Sequence, residues 1–248
     1  MGKFIKQIVF ITKIEILRYL RRSDTFVILW LIAIIGNILY FFWYGTSELQ
    51  QLDLIQYFRY LNFALCFFIP TLCQRSWTRE YQSGTQIILA QFPTSVLTVL
   101  VSKLLAATLV SMSIVVPASL LCFTLTGFGD FNRSLFFCGL FGIGLTVLLY
   151  VAVSQSVAVW LEGPARSLVA AIGILLISAM LGTQIASENL SFIVGKGLAQ
   201  FINSLSNYYH TDRIFHGLLD SRALFNTFLI ILCLATMSFK KVKRAKLS

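Results

Sequence analysis

Charge is scarce in this 248-residue chain, and acid is scarcest: 10 Asp and Glu stand against 20 Lys and Arg, 12% charged residues in all. A soluble domain carries roughly 25%. With 57% hydrophobic residues and a mean hydropathy of +0.80, the chain reads as an integral membrane protein. The apolar runs hold no row of acids of the kind ion-driven carriers use. Their polar groups are amides and hydroxyls, such as Asn37, Asn62, Thr146, Ser154, Gln155 and Gln184. That argues against proton or sodium coupling and for an outside source of work. The five cysteines include no C-x-x-C pair, so they read as small hydrophobes, not a disulfide frame or metal site. The only histidines, His210 and His216, lie near Asp212 and Asp220 without the spacing of a helical zinc pair. No phosphate-cradling G-x-x-x-x-G-K-[ST] occurs, and Gly195-Lys196-Gly197 lacks its spacing. The first residues are amphipathic rather than uniformly apolar, so no cleavable signal peptide is read there.

What is present is a set of apolar runs. A bilayer crossing takes ~20 largely apolar residues. Six are read, at 25–44, 57–73, 97–125, 135–160, 168–186 and 223–239, in one all-α membrane domain covering 1–248. Pro117 is expected to kink the third. Gly139, Gly142 and Gly144 lie inside the fourth, where small residues let helices approach closely. The second carries Arg59 near its start, which can snorkel.

The net charge of +10 belongs to the ends of these runs, so it describes topology, not nucleic-acid binding. With the N-terminus inside, Lys3, Lys6, Lys13, Arg18, Arg21, Arg22, Arg75, Arg79, Arg166 and the basic tail 240–248 are cytoplasmic, and Lys103 snorkels to the same side. The outer loops keep most of the acids: Glu48, Asp53, Asp130, Glu188, Asp212 and Asp220.

Residues 3–22 form an amphipathic helix, with Ile5, Ile8, Val9, Ile16, Tyr19 and Leu20 on one face and the cations largely off it. Such a helix lies in the membrane interface. It is either a basic topology anchor or an elbow that also touches a cytosolic partner. The connection 74–95 is a polar island between two greasy segments. Trp77 suits an interfacial belt, the helix can continue through Tyr81, Ser83-Gly84 breaks it, and Thr85 can cap a short helix at 86–91 before Pro93. This arrangement presents Glu80, Tyr81 and Gln86 to the cytosol; an ordinary polar loop is the plainer alternative. The connection 162–166 is a tight turn or a second docking point. Residues 193–205, too broken to span, read as helices at the outer leaflet.

The run I-P-T-L-C-Q-R-S-W-T-R-E-Y-Q-S-G-T-Q-I-I-L-A-Q-F-P-T resembles the signature of the type-2 ABC exporter permeases, with Glu80, Gly84, Thr85, Pro93 and Lys103 in the family's places. The segment 209–222, through Gly217, Asp220 and Arg222, is similar to that of the gliding-motility and copper-enzyme-maturation permeases. Gln86 and Ala90-Gln91 depart from the pattern.

The resemblance implies a membrane subunit of an ATP-driven exporter in a bacterial cytoplasmic membrane, with both termini cytoplasmic. Two such chains pair, as a homodimer or with a paralogue, above two copies of an ABC ATPase. The chain itself binds no cofactor and catalyses nothing; ATP and magnesium belong to the ATPase. Arg79, Glu80, Tyr81, Gly84, Thr85 and Gln86 would dock that ATPase as a coupling helix, helped by Glu162, Arg166, Arg18 and Arg21. Tyr209, His216, Gly217 and Asp220 would form an outer gate. Two other readings compete: a non-transporting anchor or assembly subunit, and an intramembrane enzyme using His210, His216 and Asp212.

Overall fold

The computed structural model describes residues 2–21, 54–82, 95–113, 132–161, 163–183, 206–218 and 220–247, with scattered positions within 27–38 and 192–197. Seven helices are described: α1 (Gly2–Leu20), α2 (Leu54–Gln82), α3 (Val96–Met112), α4 (Arg133–Trp160), α5 (Pro164–Leu181), α6 (Asn207–Phe215) and α7 (Ser221–Leu247). No strand occurs among the described residues. Most of the first span, the turn and short helix at 83–94, Pro117 with the rest of the third span, Glu162 and nearly all of 187–205 fall outside them.

The helix ends follow local chemistry. Asn132 caps α4, its side-chain oxygen accepting from the backbone N–H of Ser134 and Leu135 at 3.1 and 3.4 Å. Ser95 caps α3 by accepting from Thr98 N at 3.2 Å. Pro164 opens α5 at a position whose N–H needs no intrahelical partner. Gly182 ends it just past Leu181, short of the expected 186. Conversely, α7 runs on through the basic tail to Leu247, because 240–247 contain no breaker and their lysines are good helix formers.

By length and composition three described helices can cross a bilayer: α4, α5 and α7 through Lys243. α3 is shorter but apolar. α2 is not in that set, since Gln56, Arg59 and Asn62 dilute its apolar stretch before it runs on into the polar insert. α4 is the axis of the bundle. It is 61% buried over its most apolar stretch, against 17% for α5 and α7, and it touches α2, α3, α5, α6 and α7. α1 lies against α3, where Thr12 Oγ1 donates to Ser102 O and Ser102 Oγ donates to Ile8 O.

The close approach read for the glycines of α4 is present at Gly139 and Gly142, whereas Gly144 has only ordinary contact with Met112 at 3.5 Å. A Cβ on Gly139 would overlap the buried ring of Phe58, and one on Gly142 would stand 2.8 Å from the ring of Phe215. Phe58 and Phe215 stack on each other at 5.6 Å, so α2, α4 and α6 meet at one aromatic knot.

α1 uses a different stripe from the one expected. Thr12, Glu15, Tyr19 and the half-buried Ile8 and Ile16 pack inward. Ile5, Val9 and Leu20 are exposed, with Phe10 and Leu17. An interfacial helix needs both surfaces, one against its protein and one against lipid.

Candidate functional site

The polar side chains collect at two ends of the bundle. At the first, α2 and α4 finish, α3 and α5 begin, and Tyr19 of α1 and Val242 of α7 arrive. Trp77, Ala158 and Val159 form a small apolar core there, packed by Tyr81, Val99, Leu100 and Val242.

Above that core sits a buried charge. Lys103 is the one ionisable residue of α3, and its side chain is 1% exposed. An unpaired ammonium at such a place costs several kcal/mol. It is paired: Nζ lies 2.6 Å from Glu80 Oε2, donates to Ser76 O at 3.0 Å, and stands 4.2 Å from the centre of the Trp77 ring. Gln155 Nε2 of α4 donates to the backbone oxygen of Lys103 at 2.9 Å, which fixes the same turn of α3. The other oxygen of Glu80 is 3.7 Å from Arg18 Nη1, and Arg18 also donates to Glu15 at 2.9 Å. One carboxylate thus joins α1, α2 and α3.

Four expectations are corrected here. Glu80 does not face the cytosol: its side chain is 12% exposed and turned onto Lys103. Lys103 does not snorkel to the surface, because Glu80, a carbonyl and an indole face replace water around it. Trp77 is buried beneath that ammonium rather than standing in an interfacial belt. Tyr81 is also turned inward, its hydroxyl donating to Val159 O at 3.3 Å. Tyr19 lies buried beside the network, and burial lifts its hydroxyl far above the ordinary value, so it stays a neutral phenol.

The remaining docking candidates are scattered. Arg79 is exposed near the end of α2, where the helix closes on the exposed Gln82, Arg21 lies just past α1, and Arg166 is in the first turn of α5. Gly84, Thr85, Gln86 and Glu162 lie outside the described residues. Glu15, Ser76 and Gln155 were not singled out as site residues. One signal pointed to such a network: a solitary lysine in a helix of 17 otherwise uncharged residues requires a partner.

At the opposite end α6 closes over α2 and α4. Arg59 of α2 grips Asp212 with two bonds, 2.6 and 3.0 Å. His216 Nδ1 lies 2.8 Å from Asp212 O and 3.9 Å from its carboxylate, and Arg213 reaches Asp220 at 3.3 Å. Burial and the Asp212 carboxylate hold the Tyr208 hydroxyl above its usual range. Gly217 takes φ +82°, the left-handed turn between α6 and α7 that a side chain rarely adopts. Of the residues expected to form an outer gate, His216, Gly217 and Asp220 share this turn, while Tyr209 sits on α6 near the Arg213 guanidinium. Asp212 is committed to Arg59, which leaves it poorly placed as a catalytic base for His210.

The described residues form an all-helical bundle in which three helices are long and apolar enough to cross a membrane, with a charged, interlocked helix end. The family described as ABC-2 family transporter protein matches residues 11–182, and the chain belongs to it. It is an integral membrane protein and a permease component of an ABC transporter, a setting that implies an ABC ATPase and pairing in the membrane. The match takes in the whole charged network and ends before α6 and α7. No curated protein matches the chain.

Proposed function

We propose that this chain is the permease subunit of an ATP-driven exporter. Nucleotide-dependent movement of a separate cytosolic ATPase enters through the connection after α2. The observation that carries this reading is the Glu80 carboxylate, held between Lys103 of α3 and Arg18 of α1. A force on the end of α2 is passed to α3 through a short buried ion pair rather than absorbed by a loose loop. The network is an internal strut, and the docking surface is the connection around it, with Arg79 exposed at the end of α2, Tyr81 beside it, and Gly84, Thr85 and Gln86 following, helped by the exposed Arg18, Arg21 and Arg166 and by Glu162. Two chains, identical or paralogous, stand over two ATPases in a bacterial cytoplasmic membrane with both termini inside. ATP and magnesium are bound by the ATPases, and this chain performs no catalysis. α6 and the Gly217 turn form the outer gate, with Tyr209, His216 and Asp220 on it.

The test is a cross-link. Gln82→Cys, at the exposed end of α2, is expected to join an ATP-binding subunit co-purified from the native membrane, and Gly84→Pro to abolish that product while the permease remains in the membrane. Cross-linking only to other membrane chains, or purification without any nucleotide-hydrolysing companion, would overturn the proposal and favour an anchoring role.

A further inference from the structure

An open groove of about 680 Å³ runs between α1 and α3. That volume lies within the ~300–1,000 Å³ of typical small-molecule sites. Ile8, Val9, Ile16 and Leu17 form one wall and Leu105 and Leu109 the other. Thr12 and Thr108 also line it. Their hydroxyls are already used, Thr12 on Ser102 O and Thr108 on Leu104 O at 2.6 Å, so they offer the groove mainly methyl surface. Nothing in the lining recognises a polar molecule along its length. The exception is Lys13, an exposed cation and the only charged residue of the lining. Lys6, one heptad earlier on the same side of α1, is also exposed. The acid of α1, Glu15, is buried against Arg18, so no carboxylate of this helix opposes them.

We infer that this groove is a phospholipid site: an acyl chain of an anionic phospholipid lies along the α1–α3 trough, and its headgroup phosphate meets Lys13. Charge complementarity selects this occupant over a zwitterionic lipid, and the aliphatic walls select a chain over a polar solute. Bound there, the lipid fills the gap between the interfacial helix and the bundle and holds α1 in register with α3, on the same two helices that the Glu80 network joins. The inference needs only that α1 lies at the membrane surface. It is independent of the ATPase reading.

Native mass spectrometry tests it on the full chain, purified with its partners from nanodiscs containing equal phosphatidylglycerol and phosphatidylcholine. One phosphatidylglycerol per chain is expected to survive delipidation. Leu105→Trp, which fills the trough, removes it. Lys13→Gln lowers the preference for the anionic lipid by about fivefold, the effect of one cation beside an anionic surface, and Lys13→Arg restores it. A photoreactive residue at 105 guards against variants that fold poorly, and it should cross-link to phosphatidylglycerol. Retention unaltered by Leu105→Trp, equal retention of both lipids, or a cross-link from position 105 to another part of this chain or to detergent alone would each overturn the inference. ATPase co-purification, read in the same samples, reports separately on the proposed function.

Discussion

Glu80→Gln destabilises the bundle by about 3–5 kcal/mol, the cost of leaving a buried charge without its partner. The exposed ammonium of a surface lysine would lose little, but Lys103 is 1% exposed and has no route to water without moving α3. Lys103→Met strands Glu80 instead, and the loss should be smaller, because Glu80 is 12% exposed and keeps Arg18 at 3.7 Å. Removing both together, Glu80→Gln with Lys103→Met, recovers most of the stability, since a well-packed neutral pair replaces the ion pair at little net cost. Unfolding of the purified chain in mixed micelles measures all three variants. Additive losses in the double variant would mean that the two side chains do not act as a pair.

The second large effect is steric. Gly139→Ala places a methyl where the ring of Phe58 lies. That ring cannot step aside: it is buried, stacked on Phe215 at 5.6 Å and 6.4 Å from the ring of Phe136. Overpacking of this kind costs about 1–3 kcal/mol, and Gly139→Leu should exceed that range and prevent assembly of α2 on α4. Shortening the obstacle tests the mechanism, because Phe58→Leu in the Gly139→Ala background regains stability that Phe58→Leu alone loses. Size-exclusion profiles of the heated protein in detergent give the readout. A Gly139→Ala protein as stable as its parent would show that the helices separate easily at this point.

The positions of the helices were largely written in hydropathy, because a crossing segment must be apolar over its length whatever it packs against. The fourth, fifth and sixth runs are occupied by α4, α5 and α7, and the first half of the third by α3. Ends were less legible. Nothing in hydropathy distinguishes a basic tail that leaves the membrane as coil from one that continues as helix, and α7 continues to Leu247. The wedge after the second run was recognisable as a polar island, but its internal wiring was not. Glu80 reads as a cytosolic contact until Lys103, 23 positions along the chain, is seen to be buried beside it. A strand-like or helical period reports which face of an element is apolar; it does not report which neighbour that face meets. The same gap explains α1. Its packing stripe uses Thr12 and Glu15, which sequence periodicity counts as polar, because their side chains find partners on α3 and on Arg18. At the α6 end the Arg59–Asp212 clasp spans 153 positions and joins a residue read as a snorkelling cation to one read as an outer acid.

The central claim is that the buried strut carries nucleotide-driven motion from the end of α2 to the far end of the bundle. It is tested most directly by labelling His216→Cys, exposed beside α6, in the native complex with its ATPase, with and without ATP. The account predicts a labelling rate that changes with ATP in the parent strut and no longer responds when Glu80→Gln and Lys103→Met are combined, although the ATPase still binds. A rate indifferent to ATP in the parent, or an undiminished response without the ion pair, would contradict it.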